Sequence, residues 1–166
     1  MDNIVLIGMP GCGKSTVGVV LAKVMGYQFI DSDLLIQEQE KRVLSRILEE
    51  EGAERFNLIE NIVNSSIVTN HSVIATGGSV IYGRKAMEHL REIGTVIYLR
   101  LPLEEIQTRL GDLTERGISM KEGQSLKDLY AERTPYYEKY AHLILDVEGL
   151  EIREVVSLIR DHYGKE

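Results

Sequence analysis

Eight consecutive residues carry the strongest chemical signal in the chain. Gly8-Met9-Pro10-Gly11-Cys12-Gly13-Lys14-Ser15 match the phosphate-loop pattern G-x-x-x-x-G-K-[ST] in full. Glycines at these places let backbone N–H groups curl around phosphate oxygens. A helix starting at Lys14 would add its positive end to the same spot. In such a loop the lysine reaches the β- and γ-phosphates and the hydroxyl of Ser15 ligates Mg²⁺. Cys12 sits inside the loop. A thiol beside a helix N-terminus can react with oxidants; the plainer reading is a small residue that fits under a nucleotide. A second signal is the carboxylate pair Asp31 and Asp33. On extended backbone, spacing i, i+2 points both to one face. One could hold the metal's water shell, and the other could orient a substrate hydroxyl and take its proton. The alternative is that one of them, Asp33, only caps the helix beginning Leu34-Leu35-Ile36.

These residues need elements to hold them. Ile4-Val5-Leu6-Ile7 reads as a buried strand, and 14–25 as a helix closed by Gly26. Gln28-Phe29-Ile30 is a second strand ending at the aspartates. Residues 34–70 read as two or three helices broken near Gly52. Val73-Ile74-Ala75 is a third strand running into Thr76-Gly77-Gly78. A helix over 84–93, a strand over 95–99 and a helix over 103–110 follow. Residues 111–124 are polar, glycine-containing and aperiodic, which reads as a mobile loop or lid. Residues 125–140 read as a helix with a possible break at Pro135, 142–145 as a fifth strand and 151–163 as a last helix. Tyr136, Tyr137 and Tyr140 fit helix packing at this spacing. Strands alternating with helices imply a parallel sheet covered on both faces. Ligands of such sheets bind beyond the carboxyl ends of the strands. The phosphate loop, the aspartates and Gly77-Gly78 all stand there.

Composition narrows the function classes. The chain has 166 residues, the size of a single domain spanning 1–166, and is 43% hydrophobic and 27% charged. A net charge of -7 argues against general binding to nucleic acid or anionic membrane, which need a basic face. With one cysteine no internal disulfide forms, and a reducing, cytoplasmic setting is the simplest expectation. The apolar run near Met1 is too short for a membrane span or signal peptide. The histidines lack metal-ligand spacing. Without a heptad pattern or a long apolar stripe, a monomer is expected.

Taken together, the phosphate loop, Phe29-Ile30-Asp31-Ser32-Asp33, Ala75-Thr76-Gly77-Gly78, Arg109 with Arg116, and Arg133…Tyr137 resemble the shikimate kinase family over nearly the whole chain. The resemblance implies a three-layer α/β/α P-loop fold of the nucleoside-monophosphate-kinase type: a five-stranded parallel sheet, a mobile lid at 111–124, and an acceptor-binding helical region at 34–60. It implies ATP and Mg²⁺ as cosubstrate and cofactor, and transfer to the 3-hydroxyl of shikimate. Gly11, Cys12, Gly13, Lys14, Ser15 and Thr16 would surround the phosphates, with Arg109 near adenine. Ser15 and Asp31 would serve the metal. Asp33, Gly77, Gly78 and Arg133 would bind the acceptor, Arg133 through its carboxylate. Lys14, Asp33 and Arg116, the last arriving with the lid, would be catalytic.

Departures from the family pattern cluster on the acceptor side. Asn57 stands where the family's Gly-Glu-x-x-Phe-Arg carries arginine. As the acceptor-side residue at that place, Asn57 offers neutral hydrogen bonds but no charged fork. Ser79 replaces the last residue of a Gly-Gly-Gly run. Arg116-Gly117-Ile118-Ser119 replaces Arg-Pro-Leu-Leu in the lid. Two alternatives therefore stay open: a kinase of another hydroxy acid or polyol, and a nucleotide-binding regulatory module that transfers nothing. Each arginine also has a plain alternative, as a solvated surface residue (Arg109, Arg116) or paired with Glu132 or Glu138 (Arg133).

Overall fold

The computed structural model describes residues 2–110 and 118–164. Five strands alternate with seven helices among them: β1 Asn3–Ile7, α1 Lys14–Met25, β2 Gln28–Asp31, α2 Ser32–Glu40, α3 Leu44–Ser65, β3 Ser72–Ala75, α4 Arg84–Ile93, β4 Gly94–Arg100, α5 Leu103–Arg109, α6 Leu126–Tyr140, β5 Leu143–Asp146 and α7 Ile152–Tyr163. The strands form one sheet in the order β2-β3-β1-β4-β5, and every pairing is parallel. Helices cover both faces, so the central strands read as continuous apolar runs. Ile4 to Ile7 and Val73 to Ala75 are at most 1% exposed. This is the three-layer P-loop fold of the nucleoside-monophosphate-kinase type.

The connection from β1 runs through α1 to β2, at one edge, while β4 lies on the other side of β1. The strand order thus reverses at β1, and the crevice beyond its carboxyl end is where such folds take ligands. The phosphate loop occupies that crevice, flanked by the ends of β2 and β3. Gly8, at φ +150, has no room for a side chain: a Cβ would lie 2.8 Å from Cys12 Sγ and 2.9 Å from the Leu99 carbonyl oxygen. The chain can therefore leave β1 this tightly only with glycine at position 8.

A small second core, Ile36, Ile47, Phe56, Ile59 and Val63, lies between α2 and α3. It makes these two helices a lobe with its own apolar seam. α3 is kinked at Gly52, whose φ of 81 and ψ of 169 are not helical. This is the break expected from the sequence, and glycine tolerates it without strain.

Three boundaries differ from expectation in informative ways. α2 begins at Ser32, so Asp31 is its N-cap, accepting the Asp33 N–H at 3.0 Å. Asp33 is therefore not the capping residue; it is free of that task in the first helical turn. Pro135 does not break α6. It removes one ladder bond, and the Thr134 hydroxyl adds one to the Tyr130 carbonyl at 2.7 Å. His142 falls outside β5. Its Nδ1 accepts the Val96 N–H at 2.9 Å, which fixes a neutral ring, and burial moves its pKa down in the same direction. A one-turn 3₁₀ segment, Val80–Tyr82, was not signalled by any periodicity.

Candidate active site

The phosphate loop is built as the motif demands. Gly13 ends it at φ +98, and no side chain caps α1. The first-turn N–H groups, which have no partner within a helix, are thus left for an anion. Lys14 is buried, and its Nζ donates to the carbonyls of Gly8 at 2.7 Å and Met9 at 2.9 Å. These contacts hold the ammonium under the loop. The Ser15 hydroxyl donates to Asp31 Oδ2 at 3.1 Å. Asp31 thus bridges the phosphate loop and the start of α2, one oxygen to each. A hydroxyl and a carboxylate side by side are the hard oxygen donors that Mg²⁺ takes alongside phosphate oxygens. Among the described residues there is no cluster of three or more His, Cys, Asp or Glu that could hold an ion.

One cleft of about 290 Å³ is lined by Gly11 and Gly13 to Thr16 on one side and by Asp33, Glu60, Gly77, Gly78 and Arg133 on the other. Asp33 enters it from α2, not from extended backbone. Burial pushes its pKa up to about 6; the neighbouring Asp31 adds to the rise and Lys14 opposes it. Gly77 and Gly78 are short of space. A Cβ at 77 would lie 2.6 Å from Asp33 Oδ1, and one at 78 would lie 2.9 Å from Arg133 Nη1. Backbone and cleft side chains approach here as only glycine allows.

Arg133 is 1% exposed, the largest fully buried side chain among the described residues. Its Nη2 donates to the Ser119 carbonyl, and its guanidinium lies 5.4 Å from the Tyr82 ring centroid. It is not paired with Glu132 or Glu138. Glu132 takes Gln124 and Lys121, and Glu138 lies near Arg100. A buried guanidinium turned into a cleft is a ready partner for an anion.

Asn57 is half-buried beside the cleft, and its Oδ1 accepts the Ser119 hydroxyl at 3.0 Å. Its visible task is to hold Ser119 against α3. Arg55 faces solvent, near Glu51. Arg116 lies outside the described residues, as do 111–117 of the expected lid.

A second cavity of about 430 Å³ opens on the far side of the loop, lined by Cys12, Val17, Leu99, Val147, Leu150 and Ile152, with Arg109 at its wall. Arg109 ends α5 and lies 3.5 Å from Glu105. Cys12 is 3% exposed and packs among these apolar residues. An apolar slot beside a phosphate loop, with a guanidinium at its wall, suits a flat nucleobase.

Several site residues were not legible from motifs. Glu60 is buried in the cleft at i+4 from Phe56, a carboxylate on the apolar face of α3. That misplaced charge was its only sequence signal. Tyr137 packs as expected, stacked on Tyr98 at 5.0 Å, but its hydroxyl also donates to the Gly78 carbonyl at 2.6 Å. The stretch 147–150, between β5 and the last helix, gave no signal.

Comparison with known proteins agrees with this geometry. A family model described as shikimate kinase matches residues 10–163. A shikimate kinase of Clostridium botulinum (strain Eklund 17B / Type B) is 38% identical over 160 residues, covering 96% of this chain and 95% of the relative. One of Thermodesulfovibrio yellowstonii is 37% identical, covering 99% and 96%. The structure of the shikimate kinase from Acinetobacter baumannii in complex with shikimate superposes with a TM-score of 0.88 at 32% identity, covering 98% of this chain and 93% of that one. Phosphate loop, strand order and cleft on one side, and these matches on the other, lead to one conclusion: the chain belongs to the shikimate kinase family.

Proposed function

We propose that this chain transfers the γ-phosphoryl group of ATP, with Mg²⁺, to a hydroxyl of shikimate, giving shikimate 3-phosphate and ADP. The observation that carries it is the single cleft shared by the phosphate loop and by Asp33, Gly77, Gly78 and Arg133. Donor and acceptor sides meet in one space, which is what in-line transfer needs. The relatives named above are shikimate kinases, and one of them holds shikimate.

Each residue has a task in this reading. The N–H groups of Gly11 to Thr16 and the Lys14 ammonium hold the phosphates. Ser15 and Asp31 are the residues that would hold Mg²⁺, which would offset negative charge on the transferring phosphates. Asp33 orients the acceptor hydroxyl and accepts its proton as the oxygen bonds to phosphorus and the bond to ADP breaks. Arg133 takes the acceptor carboxylate, with no second cation at position 57. Gly77 and Gly78 let the acceptor lie against backbone. Arg109 and the apolar slot take the adenine. Arg116, outside the described residues, would add its charge at the transferring phosphates. The proposal keeps a cytoplasmic monomer, and size exclusion checks the second part of that.

The test is ADP release by the purified protein with ATP and Mg²⁺, with and without shikimate and with a panel of other hydroxy acids and polyols. Shikimate-dependent release is expected. Release that follows another acceptor better would reassign the substrate, and none with any acceptor would leave a binding module.

A further inference from the structure

The roles above leave the carboxyl end of the β4–β5 pair without a task. Arg100 and Asp146 stand opposite each other there, the last pair of the register. Arg100 Nε donates to Asp146 Oδ1 at 2.6 Å and its Nη2 donates to Oδ2 at 2.9 Å, a two-bonded fork across the strands. Glu138, on α6, lies 3.9 Å from Nη1. The arginine's bonds hold the Asp146 carboxyl below its ordinary range, so both partners are charged at neutral pH. Beyond the fork the chain turns. The Val147 N–H donates to the Arg100 carbonyl at 3.0 Å and the Leu150 N–H to the Val147 carbonyl at 3.2 Å. Val147, Leu150 and Ile152 line the apolar slot beside the phosphate loop, together with Cys12, Val17 and Leu99.

β5 is an edge strand, so within the sheet its end takes its position from β4. β4 is itself well fixed. It pairs with β1 on its other side, and the Leu99 carbonyl oxygen lies 2.9 Å from where a Cβ would stand on Gly8. From α6, the Tyr130 hydroxyl donates to the Leu101 carbonyl at 3.1 Å. Arg100 stands between those two anchored residues. Its fork thus ties one wall of the slot to the strand against which the phosphate loop leans. The two side chains are 37% and 68% exposed, and ion pairs this open add little to global stability. The two-bonded geometry does fix orientation, so the fork acts on where the turn is held. A ligand that needs the turn in place binds in proportion to the fraction of molecules that have it there.

We infer that Arg100 and Asp146 are positioning residues for the nucleotide base, their fork holding the 147–150 turn as a wall of the slot. This deepens the proposed function and rests on its ATP half. Neither residue lines the cleft or the slot, so both act through the turn. The effect is therefore selective. The phosphates, held by the loop and Lys14, keep their affinity when the fork is lost, and so does the acceptor in the cleft.

The test measures binding of ADP and of inorganic tripolyphosphate by calorimetry, and KM for shikimate. It compares the unmodified protein with Arg100→Met, Asp146→Ala, the two combined, and Arg100→Lys. ADP should bind about threefold more weakly in each of the first two, the scale of an exposed ion pair. The combined variant should lose no more than either alone, because the two side chains share one interaction. Arg100→Lys, which keeps the charge without the fork, should recover part of the loss. Tripolyphosphate, which has no base, should bind as before, and KM for shikimate should hold; a merely structural role would not separate the ligands in this way. Equal weakening of ADP and tripolyphosphate, additive losses in the combined variant, or unchanged ADP binding each overturn the inference. The binding measurements need no acceptor. If the unmodified protein binds ADP but transfers to no acceptor, the proposed transfer falls while the fork is still decided by ADP. A protein that binds no ADP overturns both.

Discussion

Asp33 and Arg133 are the side chains on which the acceptor reading turns, and they fail differently. Asp33→Asn keeps the size and removes the base. Transfer should fall by about 10²–10⁴-fold, the usual worth of a positioned proton acceptor, while ATP binding persists. Acceptor-dependent ADP release and a nucleotide titration read the two quantities separately. Near-normal turnover would remove Asp33 from the mechanism. Arg133→Lys keeps the charge and loses the planar fork. Because the group is buried and contacts Ser119 and Tyr82, the shorter set of donors cannot span the same partners. The acceptor KM should rise about tenfold or more through the lost charge-assisted bond, with kcat less affected. An unchanged KM would mean that the acceptor's anionic group is held elsewhere.

α6 is the element that carries Arg133 and Tyr137, and its start is defined by a capping box. Ser125 accepts the Asp128 N–H at 3.1 Å, and Asp128 accepts the Ser125 N–H at 3.1 Å. Ser125→Ala should cost about 1 kcal/mol of stability, read as a lower urea midpoint, with catalysis little changed. At the other end of the element's task, Tyr137→Phe deletes the bond to the Gly78 carbonyl and keeps the stack on Tyr98. A stability loss of about 1 kcal/mol is expected, joined by a higher acceptor KM because Gly78 lines the cleft. A loss of stability with an unmoved KM would reduce Tyr137 to packing alone.

The molecule as a whole should carry the signature of its buried acid. Glu60 has an ordinary value of 4.5 and is raised to about 8 by burial; Asp33 adds to the rise, while the Ser79 hydrogen bond, Arg133 and Lys14 oppose it. Between those two values the folded protein keeps a proton that the unfolded chain has released. The folded state therefore binds more protons there, and stability must fall as pH rises across that window. Urea midpoints measured at steps from about pH 5 to pH 8 should show this fall. In Glu60→Gln, which cannot titrate, the Glu60 part of the fall should vanish. Equal pH profiles for the two proteins would mean that Glu60 is ionised in the folded state.

The sequence by itself determined what local rules control. A complete phosphate-loop pattern between an apolar run and a helix fixes both its conformation and its ligand class. Parallel-strand patterning follows from apolar runs separated by amphipathic stretches, and Gly26 and Gly52 mark a helix end and a kink by backbone freedom alone. The acceptor side obeys no local rule. Asp31 and Asp33 looked equivalent until the helix began at Ser32, which gave one the cap and the other the cleft. Asn57 stands at the family's arginine position, yet packing turned it to Ser119. Glu60 reached the cleft only because α3 folds against the turn after β3, placing Ser79 beside it. Such contacts join residues distant in sequence, and their geometry is set by how helices pack on the sheet. That is why the ATP side was legible from a motif, while the meeting of Asp33 and Glu60 against Gly77 required the tertiary structure.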